Sequence, residues 1–181
     1  MASSATPGRR RRLSRRLTLA ERYYERALHA YGRSRHDAAI ADLDEAIQAE
    51  PKRAELYIAR GLALLADQRA DDAEEDFAYG LALDPTQWGA HYGRGLRAFE
   101  AGDYRAAVDA FSRAQHLAQD RFEIYVYRAI SLHQLGQTDE ALRDLRFAET
   151  LIEASDKRFR LLKRWIDTME AAAKPVDKDA P

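Results

Sequence analysis

The chain has 181 residues, 46% of them apolar and 33% charged, which suffices for one globular domain without cross-links. It has no cysteine, which excludes a disulfide framework, a thiolate nucleophile and any cysteine-ligated zinc or iron-sulfur centre. The longest stretch free of Asp, Glu, Lys and Arg is the ten residues from Ala129 to Thr138, about half the length that a transmembrane helix requires.

A net charge of −1 conceals an asymmetry. Residues 1 to 20 carry six arginines (Arg9, Arg10, Arg11, Arg12, Arg15 and Arg16) and no acid, which leaves 23 cationic against 30 anionic side chains in the remainder. Like charges repel and this segment has little apolar surface with which to dock, so residues 1–17 read as a disordered basic arm. Such a segment is ordinarily only a solvated tail; its functional reading is contact with phosphate, on nucleic acid or an anionic membrane, where each arginine contributes about 1 kcal/mol. The Arg-rich, acid-free start also resembles an organelle transit peptide, although four arginines in a row after Pro7 and Gly8 fit an amphipathic helix poorly. No apolar run follows the arginines, so a secretory signal is not expected. Arg11-Arg12-Leu13-Ser14 and Arg15-Arg16-Leu17-Thr18 resemble sites of basophilic kinases, a motif short enough to recur by chance.

From residue 20 onward the chain repeats with a period of 34. Windows 20–53, 54–87, 88–121 and 122–155 align without a gap, bringing Arg26, Arg60, Arg94 and Arg128 to one position. Ala27, Gly61, Gly95 and Ala129 follow them; then come Ala39, Ala73, Ala107 and Ala141, then Leu43, Phe77, Phe111 and Leu145, then Ala46, Gly80, Ala114 and Ala148. Each window splits into two apolar stretches at helical spacing around a polar turn such as Ala101-Gly102-Asp103 or Leu135-Gly136-Gln137, which predicts a helical hairpin. Small residues recur where two backbones approach, and a bulky Leu or Phe recurs where a knob fills the gap. Thr18 followed three residues later by Glu21 predicts a capping box, and Asp84-Pro85-Thr86-Gln87 supplies an acceptor, a proline and a glutamine for the start of the fifth helix.

Tyr57-Ile58-Ala59-Arg60-Gly61, Ala73, Phe77, Gly80 and Pro85 resemble a tetratricopeptide repeat, and the other three windows match similarly. The resemblance covers residues 20–155 and implies an all-α solenoid of four helical hairpins across 18–155. The last two windows depart from it in lacking the closing proline of Pro51 and Pro85. Residues 156–173 place Phe159, Leu162, Ile166 and Met169 on one helical face and are expected to form a helix that, with Trp165, caps the exposed end of the last repeat. Residues 174–181 read as a flexible tail.

The resemblance implies that the first helix of each hairpin lines a concave trough. The trough-facing residues are then Tyr24, Ile58, Tyr92 and Val126; one turn on, Leu28, Leu62, Leu96 and Ile130; and after those Tyr31, Leu65, Phe99 and His133. Eleven of the twelve are apolar or aromatic, the chemistry of a trough for an amphipathic helix or an extended apolar peptide; tight winding would instead pack some of them against the neighbouring repeat. Some family members grip acidic C-terminal peptides with Asn, Lys and Arg, but this chain has no Asn, and Glu21, Glu25, Glu55 and Ala59 stand at the matching places. An acidic tail is therefore not the expected ligand. Asp42, Asp76 and Asp144 lie 16 residues after Arg26, Arg60 and Arg128, across the hairpin, and are expected to form structural ion pairs; the third window has Ala110 there, beside Asp109.

Signals for catalysis are absent. His29, His36, His91, His116 and His133 form no metal-ligand spacing, no phosphate loop follows the few glycines, and no serine lies in a nucleophile elbow. The expectation is a cytoplasmic, non-catalytic adaptor or scaffold without metal, cofactor or small-molecule substrate, which binds a protein or peptide in its trough. The alternatives are a tethering factor working through the Arg arm and a self-associating structural component.

Overall fold

A computed structural model describes residues 17–173 of the chain. The arginines of the basic arm and the tail 174–181 lie outside the described residues. Nine helices and no strands occur among the described residues: α1 (Leu19–Tyr31), α2 (His36–Ala49), α3 (Ala54–Ala66), α4 (Ala70–Leu83), α5 (Trp88–Glu100), α6 (Tyr104–Leu117), α7 (Phe122–Gln134), α8 (Thr138–Thr150) and α9 (Lys157–Ala173). None of them is long and apolar enough to cross a membrane.

The helix starts follow local chemistry. The Thr18 hydroxyl accepts from the Glu21 amide at 3.1 Å while the Thr18 amide donates to the Glu21 carboxylate at 2.7 Å, which closes a capping box on α1. At α5 the expected acceptor is used differently: Asp84 takes the Thr86 amide (2.9 Å), the Thr86 hydroxyl (2.7 Å) and the Gln87 amide group (2.7 Å). It thereby ties the turn that precedes the helix, and the N-cap itself is Gln87. Within each hairpin the turn has one left-handed residue at the same place in the period: Ser34, Gln68, Gly102 and Gly136, with φ of 56°, 64°, 76° and 77°. Only the last two use glycine, the residue that reaches this region without steric cost.

Packing explains the alternation of small and large residues. Phe77 and Phe111 are 1% and 0% exposed. A Cβ on Gly61 would fall 2.6 Å from the Phe77 ring, and one on Gly95 would fall 2.5 Å from the Phe111 ring. The hairpins that carry Leu43 and Leu145 have Ala27 and Ala129 at that position, so added bulk on one helix is matched by lost bulk on the other. Hairpins stack in chain order, and α3, α5 and α7 also touch along the inner side of the array. At the far end Leu162, Ile166 and Met169 of α9 are 5%, 2% and 4% exposed, with Trp165 packed beside them against the cluster around Tyr125 and Leu142.

Candidate functional site

The inner helices form a concavity of about 480 Å³ on their N-terminal side. Its walls are Tyr24, Leu28 and Tyr31 of α1, Ile58 and Leu62 of α3, and Trp88 of α5, with Glu55, Gln87 and Arg121 among the polar lining. Leu28 is 49% and Tyr31 39% exposed, so two large apolar side chains face solvent inside a concave surface.

The twelve trough residues expected from the register separate into three groups. Tyr24, Leu28, Tyr31, Ile58 and Leu62 line the concavity, Ile58 as floor because it is buried in the first core cluster. Leu65 is also buried in that cluster and does not line the concavity, so it acts as core: the tight winding of the first two hairpins closes over it. Tyr92, Leu96 and Phe99 are half-buried, and Val126 and Ile130 likewise; none lines the concavity, and His133 is exposed.

In the C-terminal half the aromatic side chains form a cluster. Tyr127 stacks on Phe111 (ring centroids 5.9 Å apart) and meets Tyr92 and Phe99 edge-on at 6.0 and 5.7 Å. Burial raises the Tyr31 phenol above its usual range, and Tyr127 and Glu100 add to the shift. Tyr92 is raised in the same way, by burial first and then by Tyr127, Glu123 and Tyr31. At the open end burial raises the Tyr24 phenol most, its hydroxyl donating to Glu55 at 2.9 Å.

Three contributors were not apparent from the trough register, Trp88, Arg121 and Tyr127, whereas Glu55 stands in the lining as the resemblance implied. A signal for one of them exists in the period. Arg53 and Arg121 close the first and third windows, and each guanidinium lies over an aromatic ring, Arg53 at 5.3 Å from Tyr24 and Arg121 at 5.1 Å from Trp88. Tyr127 occupies a position held by Glu25, Ala59 and Gly93 in the other windows, so no recurrence marks it.

The recurrent arginines hold the scaffold behind the trough. Arg60 gives Nε and Nη2 to Asp76 at 2.8 and 2.7 Å and Nη1 to Asp44 of the preceding hairpin at 2.6 Å. Arg128 does the same with Asp144, at 2.7 Å for both bonds, and reaches back to Gln115 at 2.9 Å. Arg26 binds Asp42 through Nε and Nη2. In the third hairpin, where Ala110 offers no acceptor, Arg94 turns to Glu74 of α4, with Nε at 2.9 Å, and not to Asp109. Among the described residues no group of three or more His, Asp or Glu is placed to hold a metal ion.

Comparison with known proteins fixes the family. The model of the tetratricopeptide repeat matches residues 24–87 and 92–149. The chain belongs to the tetratricopeptide repeat family. This tetratricopeptide repeat chain is 29% identical over 142 residues to tetratricopeptide repeat protein 16 of Macaca fascicularis, covering 75% of the chain and 16% of that protein. It is 26% identical over 152 residues to DnaJ homolog subfamily C member 3 of Homo sapiens, covering 76% of the chain and 30% of that protein. The chain therefore spans less than a third of the length of these relatives. Among solved structures, MamA superposes with a TM-score of 0.62 at 19% identity, covering 87% of this chain and 85% of that one. The first TPR of Spaghetti (RPAP3), bound to an HSP90 peptide, superposes with a TM-score of 0.58 at 21% identity, covering 65% of this chain and 96% of that one. At these identities the likeness concerns the fold.

Proposed function

We propose that this tetratricopeptide repeat chain is a non-catalytic adaptor that holds an apolar or amphipathic segment of a partner protein in the N-terminal half of its trough. The observation that carries this reading is the pairing of a concavity of about 480 Å³ with Leu28 and Tyr31, large apolar side chains left 49% and 39% exposed inside it. Contiguous apolar surface of this kind is costly in water unless a partner covers it. A short ligand is favoured, because Tyr92, Phe99 and Tyr127 already pack on one another in the C-terminal half. The peptide-bound state of the Spaghetti domain is a precedent for capture by this fold. The ligand differs from an acidic tail, since Glu55 lies on the rim and the chain has no Asn.

Leu28→Glu is the discriminating substitution, because Leu28 is exposed and its loss should leave the fold intact. Wild-type and Leu28→Glu baits are compared by affinity capture from native lysate, with circular dichroism on both. A discrete protein retained at high salt by wild type and lost with Leu28→Glu at unchanged helicity is the expected result. Equal retention by both would remove the trough as the capture site, and recovery of bait alone would favour self-association.

A further inference from the structure

We propose that the outward face of α1 is a docking surface for anionic phospholipid. In hairpins two to four the corresponding face of the first helix is covered by the second helix of the hairpin before it. One position there holds Leu56, Ala90 and Ile124, each 0% exposed; its counterpart in α1 is Arg22, exposed, its guanidinium without an ion pair or hydrogen bond among the described residues. Four residues on, Arg60, Arg94 and Arg128 reach back to the preceding helix and are 25%, 30% and 16% exposed. Among the described residues no helix lies behind Arg26, which is 64% exposed. Its Nε and Nη2 bind Asp42, while Nη1, the nitrogen that Arg60 and Arg128 give to the helix behind, has no partner among the described residues.

The face carries grease as well as charge. Leu19, 57% exposed, lines a shallow concavity of about 200 Å³ with Arg22, Tyr23 and Arg26, and Leu17, two residues ahead of α1, is 44% exposed. An end that served only to keep the array in solution would carry polar side chains in place of both leucines. Nucleic acid would use the arginines and leave the leucines in water. A bilayer of anionic lipid uses both: guanidinium groups pair with headgroup phosphates, and leucines enter the boundary between headgroups and acyl chains. In sequence this face follows directly on Arg9 to Arg12, Arg15 and Arg16, so eight arginines precede residue 27 against two acids, Glu21 and Glu25. Glu21 is engaged in capping α1, and Asp42 and Glu45 of α2 stand near Arg26, the former paired with it.

The test is co-sedimentation of the full chain with vesicles of phosphatidylcholine alone and with about one third phosphatidylglycerol, at salt of about 50 and about 500 mM. Binding to the anionic vesicles only, weakened at high salt and reduced about fivefold by Arg22→Gln, is expected. Leu17→Ser with Leu19→Ser should lower vesicle binding and leave binding to a short DNA duplex unchanged. These three side chains are exposed, and circular dichroism of each variant establishes that α1 persists. Vesicle binding indifferent to all three substitutions, no preference for anionic lipid, or a duplex bound more tightly than the anionic vesicles would each overturn the proposal.

Discussion

A guanidinium recurring every 34 residues performs one task with different acceptors, and burial decides how much each copy matters. Arg128 is 16% exposed and its partner Asp144 10%, so neither can fall back on water if the other is removed. Breaking a pair of this kind costs on the order of 3 kcal/mol, because a buried charge is stranded. Asp144→Ala should therefore lower stability by about 3 kcal/mol in denaturant unfolding. Asp42→Ala should cost clearly less, since Arg26 is 64% exposed and water replaces the lost carboxylate. Equal losses would mean that the pairs act through something other than burial.

At the scale of elements, periodicity made the helices legible, and two of their starts also carry their own acceptors. Thr18 and Glu21 close α1, and Asp103 accepts the Ala106 amide at 3.0 Å to start α6. The Asp84 signal for α5 was misplaced by a turn, because an aspartate four residues before a helix can satisfy the loop as readily as the helix. The cap α9 is held by burial of Leu162, Ile166 and Met169 and by the Arg146–Glu170 and Arg158–Glu123 pairs at 2.7 and 3.4 Å. A chain ending at Ser155 should lose about 5 kcal/mol, estimated from three buried aliphatic side chains. Its denaturation midpoint should fall and it should bind an apolar dye through the uncovered last hairpin. An unchanged midpoint would show that the hairpins stand without a cap.

Across the whole molecule the buried apolar residues group into three clusters: one shared by the first two hairpins and reaching Ala90 of α5, one in the third, and one joining the fourth to α9. Stability in such an array is largely a sum of neighbour contacts, so its ends open before its centre. Amide hydrogen exchange should be slowest in α3 and α4 and fastest toward α9, a gradient that a single cooperative core would not produce. The trough has the same asymmetry, its concavity lying against the first two hairpins and the start of α5, its aromatic cluster in the last two.

Family, helix count, hairpin register and the recurrence of small and bulky residues were legible in the linear pattern, because the period places equivalent residues in equivalent surroundings. Which trough residues remain free was not. Leu28 and Leu65 look alike in that pattern, yet one is 49% and the other 5% exposed. The difference arises from how the hairpins wind on one another. Tyr127 joins the aromatic cluster from a position with no counterpart elsewhere, so only three-dimensional convergence of Tyr92, Phe99 and Phe111 upon it decides its role. Periodic positions report local packing within a repeat, whereas the open surface depends on contacts between repeats and on the ends of the array, which tertiary structure alone determines.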